Sequence, residues 1–310
     1  MDVGRLAVIC GPTAAGKSSL AMQLAESLGG AIVSADSRQV YRGFDIGTAK
    51  PGADERRRVP HAGLDVAEPT DRYSAARWMA GVDGWLRALR AAGRDPWVVG
   101  GTGLYLRTLT APLFDEPELD EGRRAALAAE LEALPLAQLR ERCERLDPER
   151  SHLGRTQLLR AIEVATLTGV PISRWHRERA RPPRHEVRYL VVDPGAPLQA
   201  RIVNRVDEML AGGWVEEVEG LAARLPEDAP AWNATGYETI RHLVRGTITR
   251  AAAREAVVIA TRQYAKRQRT WFRHQLPPES VTRLEGEVST RAAHEAFGRI
   301  LDWVHEERAR

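Results

Sequence analysis

The apolar residues of this chain form short continuous runs, separated by stretches with helical spacing. The runs cover residues 5–10, 31–35, 97–99 and 189–192. Strands buried on both faces have this unbroken pattern. After the first run, Leu20, Leu24 and Leu28 repeat every four residues and Gly29-Gly30 follow, which predicts an amphipathic helix and its end. This alternation predicts an α/β fold with a parallel sheet covered by helices.

The pattern changes between about residues 114 and 186, and residues 121–145 contain no strand candidate. Residues 121–145 are rich in Ala, Leu, Glu and Arg, which favour helices. We therefore expect an all-helical insert at 114–186 between two parts of the core, residues 1–113 and 187–310. The second part of the core is again mostly helical.

Composition is that of a soluble globular protein. Of the 310 residues, 43% are hydrophobic and 28% are charged. No stretch approaches the roughly 18 apolar residues of a membrane helix, and the first residues do not resemble a secretory signal. The two cysteines, Cys10 and Cys143, cannot form a disulfide framework. We expect a cytoplasmic protein with no membrane partner, and a monomer.

Positive charge is concentrated in two clusters, although the net charge is only +3. Residues 241–273 contain nine Lys or Arg and one acid, and residues 174–188 contain six Arg and two acids. Such clusters are expected of a protein that binds a polyanion. A solvated helix face can carry the same charges, so neither cluster decides the point by itself.

A phosphate-binding loop follows the first predicted strand. Its sequence fits G-x-x-x-x-G-K-[ST] and consists of Gly11, Pro12, Thr13, Ala14, Ala15, Gly16, Lys17 and Ser18. In this context the backbone N–H groups and the start of the next helix surround an anion. Lys17 adds a full charge, and the Ser18 hydroxyl is placed to coordinate Mg²⁺. The motif predicts a diphosphate site without indicating which diphosphate.

The position of the acidic residue expected near the phosphate loop is unusual for a phosphate-loop protein. Many ATP-hydrolysing members end a later strand in an Asp that helps to hold the metal, whereas here the third run leads into Gly100-Gly101-Thr102. Asp36 ends the second run and should border the diphosphate, because the carboxyl ends of parallel strands lie at one edge of the sheet. A carboxylate there suits a general base; a turn-forming Asp is the alternative.

A basic stripe is predicted on one helix near the C-terminus. Arg262, Lys266, Arg269 and Arg273 are spaced by four, three and four residues. The residues expected on the opposite side are apolar or aromatic: Val257, Ala260, Tyr264, Trp271 and Phe272. A cationic face backed by an apolar anchor is what a phosphate-tracking helix requires.

Longer blocks of sequence carry a family resemblance. In order they are residues 36–51, 60–61, 64–65, 73–74, 100–105, 157–163, 262–268 and 270–273. Together these blocks resemble the bacterial tRNA dimethylallyltransferases, prenyltransferases that modify the adenosine 3′ of the anticodon. The blocks at 36–51 and 262–273 are the most specific.

The resemblance implies a fold and a reaction. The fold would be a P-loop NTPase-like core with an inserted helical domain that contacts tRNA. The reaction would transfer a dimethylallyl group from dimethylallyl diphosphate to N6 of adenosine 37 in tRNA, with Mg²⁺, giving N6-dimethylallyladenosine and diphosphate. The target base must leave its stack to react.

The resemblance also implies roles for particular residues. The stretch from Thr13 to Ser18 would hold the prenyl diphosphate, Asp36 would be the general base, and Thr102 and Arg124 would lie near the reacting centre. The implied tRNA contacts are Asp36, Ser37, Arg38 and Gln39, then Gln157, Leu158, Leu159, Arg160 and Ala161, then Arg262, Gln263, Tyr264, Ala265, Lys266 and Arg267.

Some positions depart from the family pattern. Ala62 follows His61 where a second histidine is common, and Asn233 and Glu238 stand where basic or amide residues are more usual. Members with Arg at the Asn233 position can use it on the diphosphate, and Arg241 is a candidate substitute here. We interpret His61 as a structural hydrogen-bonding residue, and no Cys/His cluster implies zinc.

Other functions are compatible with the phosphate loop. They are a small-molecule kinase that uses Asp36 to activate a hydroxyl, an isopentenyltransferase acting on free adenine nucleotides, and an RNA-binding nucleotide switch. The basic helix and the arginine-rich insert favour a polyanionic acceptor.

Overall fold

The computed structural model describes residues 4–111, 119–178, 184–286 and 290–308. Contacts divide the chain into two compact units. The core unit comprises Met1–Thr110 together with Arg184–Arg310, and the helical unit comprises Ala111–Pro183.

A six-stranded parallel sheet forms the centre of the core unit. The strands are β1 (Gly4–Cys10), β2 (Gly30–Ala35), β3 (His61–Ala62), β4 (Asp95–Gly100), β5 (His185–Asp193) and β6 (Val281–Glu285). Their order is β3-β2-β4-β1-β5-β6, and every neighbouring pair is parallel. Val8 of β1 lies opposite Val98 on one side and Tyr189 on the other. The predicted α/β fold with a parallel sheet is confirmed.

Two strands were not predicted from the sequence. β3 contains only two residues, and β6 is an edge strand in which Leu284 alone is buried. Neither forms a continuous apolar run, so the rule that identifies fully buried strands does not detect them.

The helices of the core unit flank the sheet and extend beyond it. They are α1 (Lys17–Leu28), α2 (Ala53–Arg58), α3 (Ala75–Ala91), α4 (Gly103–Thr110), α9 (Leu198–Ala211), α10 (Trp214–Ala222), α11 (Tyr237–Val244), α12 (Arg250–His274) and α13 (Thr290–Arg308). α1 and α13 share one core with the sheet, in which Trp97 meets Phe297 edge to face at 4.6 Å. Burial of aromatic side chains of this size makes a large contribution to stability.

The described residues of the helical unit form four α-helices. They are α5 (Glu121–Glu132), α6 (Leu136–Leu146), α7 (Arg155–Thr168) and α8 (Ile172–Glu178). Leu131, Leu139, Leu158 and Ile162 form its apolar core. No strand occurs among the described residues of this unit.

None of the helices in the described part of the chain combines the length and the apolar composition needed to cross a membrane.

Candidate active site

The phosphate loop joins β1 to α1 at the carboxyl edge of the sheet. Gly16 has φ of 90° and precedes α1 as its N-cap. The first-turn N–H groups of a helix have no partner within that helix, so they can bind an anion. The Lys17 ammonium folds back over the loop, with Nζ 3.4 Å from the Pro12 carbonyl oxygen.

The electrostatic environment of Lys17 indicates an anion site. Burial, reinforced by the positive charge of Arg205, lowers the pKa of Lys17 to about 8. The carboxylate of Asp36 acts in the opposite direction and favours the charged form. A half-buried cation next to a second cation is stabilised when an anion binds between them.

Two arginines of α9 approach the loop, and the sequence interpretation did not identify them. Arg201 donates from Nη1 to the Ala15 carbonyl oxygen at 3.1 Å, and Arg205 donates to the Thr48 carbonyl oxygen at 3.5 Å. Burial lowers the pKa of Arg205 from its ordinary value, and Asp36 opposes this effect. Their spacing of four residues places both on one helix face, which was the available signal.

Asp36 lies at the end of β2, and Thr102 supports the chain beside it. The Asp36 Oδ1 atom accepts a hydrogen bond from the Arg38 backbone N–H at 2.8 Å. Thr102 Oγ1 accepts from the Ser37 backbone N–H at 2.9 Å, and the Thr102 N–H donates to the Ala35 carbonyl oxygen at 3.1 Å. These bonds tie the end of β2 to the loop after β4.

A cleft of about 560 Å³, partly open to solvent, lies beside Thr13 of the phosphate loop, Asp36 and Arg205. Its polar lining includes Thr13, Asp36, Arg38 and Arg205. Its apolar lining includes Val206, Met209, Trp214 and Val257. A site with one charged end and one apolar wall fits a ligand that joins an anionic group to a small hydrocarbon.

The segment after Asp36 is held by internal contacts. Glu217 of α10 accepts hydrogen bonds from the Ile46 N–H at 2.6 Å and the Tyr237 hydroxyl at 2.7 Å. The buried Lys50 ammonium binds Asp45 at 2.6 Å and Asp65 at 2.7 Å. Much of the specific block at 36–51 therefore builds a rigid segment beside the cleft.

The predicted contact residue Gln39 is also used internally. Its Oε1 atom accepts from the Ser34 hydroxyl at 3.0 Å, and its Nε2 atom donates to the carbonyl oxygens of Thr48 and Ala49. Arg38 lines the cleft, so among the side chains of Ser37, Arg38 and Gln39 it is the one best placed to meet a ligand there.

The basic stripe on α12 is smaller than the sequence predicted. Arg262, Lys266 and Arg273 are exposed. Arg269 instead donates from Nε to Asp193 at 2.8 Å, so it fastens the helix to the end of β5. Among the other predicted contacts on α12, Gln263 and Arg267 are exposed, Tyr264 lines the cleft, and Ala265, although only 2% exposed, lines a surface groove with Arg262 and Lys266.

The predicted residues of the helical unit divide into exposed and buried positions. Leu158 and Ala161 are fully buried in that unit, so their side chains are not available to a ligand, and Leu159 packs partly against the same core. Gln157 is exposed and caps α7, with Oε1 accepting from the Gly154 N–H at 3.1 Å. Arg124 of α5 and Arg160 of α7 both form ion pairs with Glu163.

Arg241 does not substitute for a basic residue at the Asn233 position. It is buried, its guanidinium lies 4.5 Å above the Trp232 ring, and it binds Glu238 at 2.6 Å. Asn233 itself is exposed. Arg205 is the residue that brings an additional positive charge to the cleft.

Four arginines of the cluster at 174–188 have partners in their own units. Arg174 pairs with Glu178, Arg177 with Glu149, Arg184 with Asp83, and Arg188 lies over the Trp303 ring. Much of that charge is therefore engaged by the protein itself; Arg179 and Arg181 lie outside the described residues.

Two other titratable residues, His61 and Cys10, have surroundings typical of structural residues. His61 Nδ1 lies 2.8 Å from the Val59 carbonyl oxygen, and burial lowers the pKa of His61. Burial raises the pKa of the Cys10 thiol far above its ordinary value. Within the described ranges no three His, Cys, Asp or Glu side chains form a metal cluster.

Comparison with known proteins identifies the family. A model of the IPP transferase family matches residues 39–275, and a model of isopentenyl transferase matches residues 4–61. The tRNA dimethylallyltransferase of Anaeromyxobacter sp. (strain Fw109-5) is 44% identical over 278 residues, which cover 88% of this chain and 93% of the relative. That of Thermus thermophilus is 41% identical over 301 residues, 96% of each chain.

Solved structures agree with the sequence comparisons. The tRNA isopentenylpyrophosphate transferase of Bacillus halodurans superposes with a TM-score of 0.68 at 30% identity and 99% coverage of both chains. A eukaryotic dimethylallyltransferase captured acting on tRNA superposes with a TM-score of 0.73 at 26% identity, covering 91% of this chain and 74% of that one. The chain therefore belongs to the IPP transferase family, as its motifs predicted, and it is an enzyme of the class that transfers prenyl groups to tRNA.

Proposed function

We propose that this enzyme transfers a dimethylallyl group from dimethylallyl diphosphate to N6 of adenosine 37 in tRNA, forming N6-dimethylallyladenosine and diphosphate. One observation carries the proposal. A single cleft joins the anion-binding loop, the Asp36 carboxylate and an apolar wall, so it offers a place for the leaving group, a base and a place for the hydrocarbon.

The donor fits the two ends of the cleft. The first-turn amides of α1, Lys17 and Arg205 form the cationic end, which suits a diphosphate. Val206, Met209 and Val257 line the apolar side, where a five-carbon chain would be shielded from water.

The reaction needs a proton acceptor and a stabilised leaving group. The N6 lone pair is delocalised into the adenine ring, so transfer of an N6 proton to Asp36 makes the nitrogen a better nucleophile. The new N6–C1 bond replaces the allylic C1–O bond, and the electron pair of that bond leaves with the diphosphate. Lys17, Arg205 and the loop amides stabilise this developing charge.

The residues of the loop fit Mg²⁺ carried by the donor. Mg²⁺ typically keeps several waters and takes one or two protein ligands together with substrate phosphates. The Ser18 hydroxyl is exposed at the start of α1 and would be such a ligand. When bound, the ion would neutralise part of the diphosphate charge.

The acceptor is proposed to dock on the outward face of α12. Arg262 and Lys266 line a surface groove with Leu198 and Gln199 of α9, and exposed Lys and Arg side chains bind nucleic-acid phosphates. The exposed Gln157, together with Arg160, which pairs with Glu163, offers polar groups for tRNA on the helical unit. Since one chain supplies the groups of the cleft, we expect a monomer, working in the cytoplasm where its tRNA acceptor occurs.

Nucleoside analysis tests the proposal directly. The protein is incubated with radiolabelled dimethylallyl diphosphate and an anticodon stem-loop containing adenosine 37, and the RNA is digested and separated. We expect label in N6-dimethylallyladenosine, and none when position 37 is guanosine. In reactions that also contain AMP, or ATP and a hydroxylated metabolite, label in AMP only or phosphorylation of the metabolite with no RNA product would contradict it.

A further inference from the structure

The side chain of Gln268, in the last third of α12, bridges two loops at the carboxyl edge of the sheet. Its Oε1 atom accepts from the Thr13 backbone N–H at 2.8 Å. Its Nε2 atom donates to the Gly101 carbonyl oxygen at 2.8 Å. The residue is only 6% exposed. One amide therefore connects the phosphate loop to the loop that carries Thr102.

Only a side chain with both a donor and an acceptor can make this bridge. Thr13 offers an N–H and Gly101 offers a carbonyl, so the Gln268 oxygen must face Thr13 and its nitrogen must face Gly101. The reversed amide would place like groups together at both ends, so the hydrogen-bond network fixes the assignment. A buried carboxylate would lose the donor, and an aliphatic side chain would leave both backbone groups without a partner.

Two glycines show that α12 and the loop after β4 are built for close approach. A Cβ atom on Gly101 would lie 2.4 Å from Gln268 Nε2. A Cβ atom on Gly103 would lie 2.4 Å from Cδ2 of Trp271, one turn further along α12. A larger residue at Gly101 would displace the Gln268 amide, and one at Gly103 would displace the Trp271 ring. The glycine-rich block at 100–103 and the block at 262–273 are therefore two sides of one contact.

The same helix presents its other face to solvent. Tyr264, one turn before Gln268, interacts with the Thr102 side chain, whereas Arg262 and Lys266 point outward. The helix proposed to bind tRNA thus also holds the loop proposed to bind the donor.

We propose that Gln268 is a positioning residue for the prenyl donor. It fixes the backbone of the phosphate loop at Thr13 relative to Thr102, so that a diphosphate bound by the loop lies at a set distance from the base that reacts. The inference rests on the proposed function and adds a residue to it. Gln268 touches neither substrate and acts through Thr13 and Gly101.

The first test replaces the amide by a side chain of similar length. For Gln268→Met we expect kcat/KM for dimethylallyl diphosphate to fall by about 10²-fold, since small misplacements of reacting groups have effects of this size. The KM for the donor and the Kd for inorganic diphosphate should rise about tenfold, while the Kd for the stem-loop stays within about twofold. Gln275→Met is the matched control, because Gln275 is exposed at the end of α12.

A purely structural role would give a different result. It would lower the melting temperature and the fraction of active enzyme, but would leave the donor KM and the diphosphate affinity of the folded protein unchanged. Kinetic constants of Gln268→Met equal to those of Gln275→Met would overturn the proposal.

The second test uses the pH dependence of Gln268→Glu. A protonated carboxyl group has a donor and an acceptor and can reproduce the bridge, but an ionised carboxylate cannot donate to Gly101. Burial favours the neutral acid, so the donor kcat/KM of this variant, divided by that of the wild type, should rise as the pH is lowered from 8.5 to 6. Gln268→Met should show no such recovery, and a flat ratio for the Glu variant would contradict the bridge.

The two hypotheses can fail separately. A wild-type protein that binds diphosphate but modifies no RNA would contradict the proposed function, and diphosphate affinity would still report on Gln268. An active wild type with an indifferent Gln268→Met variant would contradict only the role of Gln268.

Discussion

Lys17 gives the site a pH dependence that can be worked out from its surroundings. Its pKa falls from an ordinary value of 10.5 to about 8, chiefly because it is buried and also because Arg205 is near. At about 1.4 kcal/mol per pKa unit, keeping Lys17 charged at neutral pH costs the protein about 3 kcal/mol. A bound diphosphate supplies the missing negative charge, so donor binding should return the pKa toward or above its ordinary value.

The direction in which donor affinity changes with pH follows from this rise in the pKa of Lys17 on binding. The contribution of Lys17 to affinity is nearly complete at about pH 7 and below, where Lys17 of the free protein is already protonated. It declines as the pH increases, since binding must then be accompanied by proton uptake. Between pH 7 and pH 9 the donor affinity should fall about tenfold through Lys17, with uptake of about 0.9 proton per donor at pH 9.

The contribution of the Lys17 charge to donor binding can also be estimated. Two unit charges about 4 Å apart interact by about 4 kcal/mol at the effective dielectric of a protein surface site. Lys17→Met should therefore weaken donor binding roughly 10²- to 10³-fold at pH 7. At pH 9 the difference between wild type and variant should be about tenfold smaller.

Calorimetry measures both quantities. The unreactive thiolodiphosphate analogue of the donor is titrated into protein saturated with stem-loop, at pH 7 and pH 9, in buffers of different ionisation enthalpy. The ionisation of the analogue itself is the same in both experiments. The difference in affinity between wild type and Lys17→Met therefore reports on Lys17 alone. If the two proteins lose affinity in parallel between pH 7 and pH 9, the electrostatic account of the loop is wrong.

Three further changes separate the roles of base, cation and RNA contact. Asp36→Asn should retain tRNA binding but lower single-turnover transfer by about 10²- to 10⁴-fold in rapid-quench experiments; an unchanged rate would remove Asp36 from that role. Arg205→Met should slow transfer by about 10²-fold in the same assay with tRNA affinity unaltered, and a selective loss of tRNA affinity would exclude a role at the leaving group. Arg262→Glu or Lys266→Glu should weaken tRNA binding and reduce its salt dependence in fluorescence anisotropy, whereas the exposed Arg87→Glu on α3 should not. A loss of diphosphate affinity alone would refute the assignment of α12.

The sequence predicted those parts of the fold and site that depend on local pattern. Continuous apolar runs identified β1, β2, β4 and β5, because strands buried on both faces leave that signal. The phosphate loop could also be recognised from one short stretch of sequence, because its eight-residue motif follows a strand and leads into a helix. Asp36 could be placed at the same edge because parallel strands end together.

The remaining parts depend on packing between distant segments. Gln268 lies 255 residues from Thr13, and Arg201 lies 186 residues from Ala15. No local pattern gives the rotation and height at which α9 and α12 cross the sheet edge. The approach of Arg205 and Gln268 to the loops at the sheet edge could therefore be recognised only in the folded structure.

The buried positions among the implied tRNA contacts could have been recognised from the sequence. A family block names consecutive residues, but a helix presents only some of them to a ligand. Leu158, Ala161, Ile162 and Ala165 follow helical spacing in an apolar stripe, which already marked two of the implied tRNA contacts as core.

Helical periodicity also explains why the block at 262–273 is so specific. Tyr264, Gln268 and Trp271 are spaced by four and three residues, and all three face the loops at the sheet edge. Arg262 and Lys266 face solvent. The inward residues require glycine in the loop after β4, whereas the outward residues are proposed to bind tRNA phosphates. A substitution on each face of this helix therefore affects a different partner. Changes on the inner face should alter the KM and the Kd for the donor, whereas changes on the outer face should alter the Kd for tRNA.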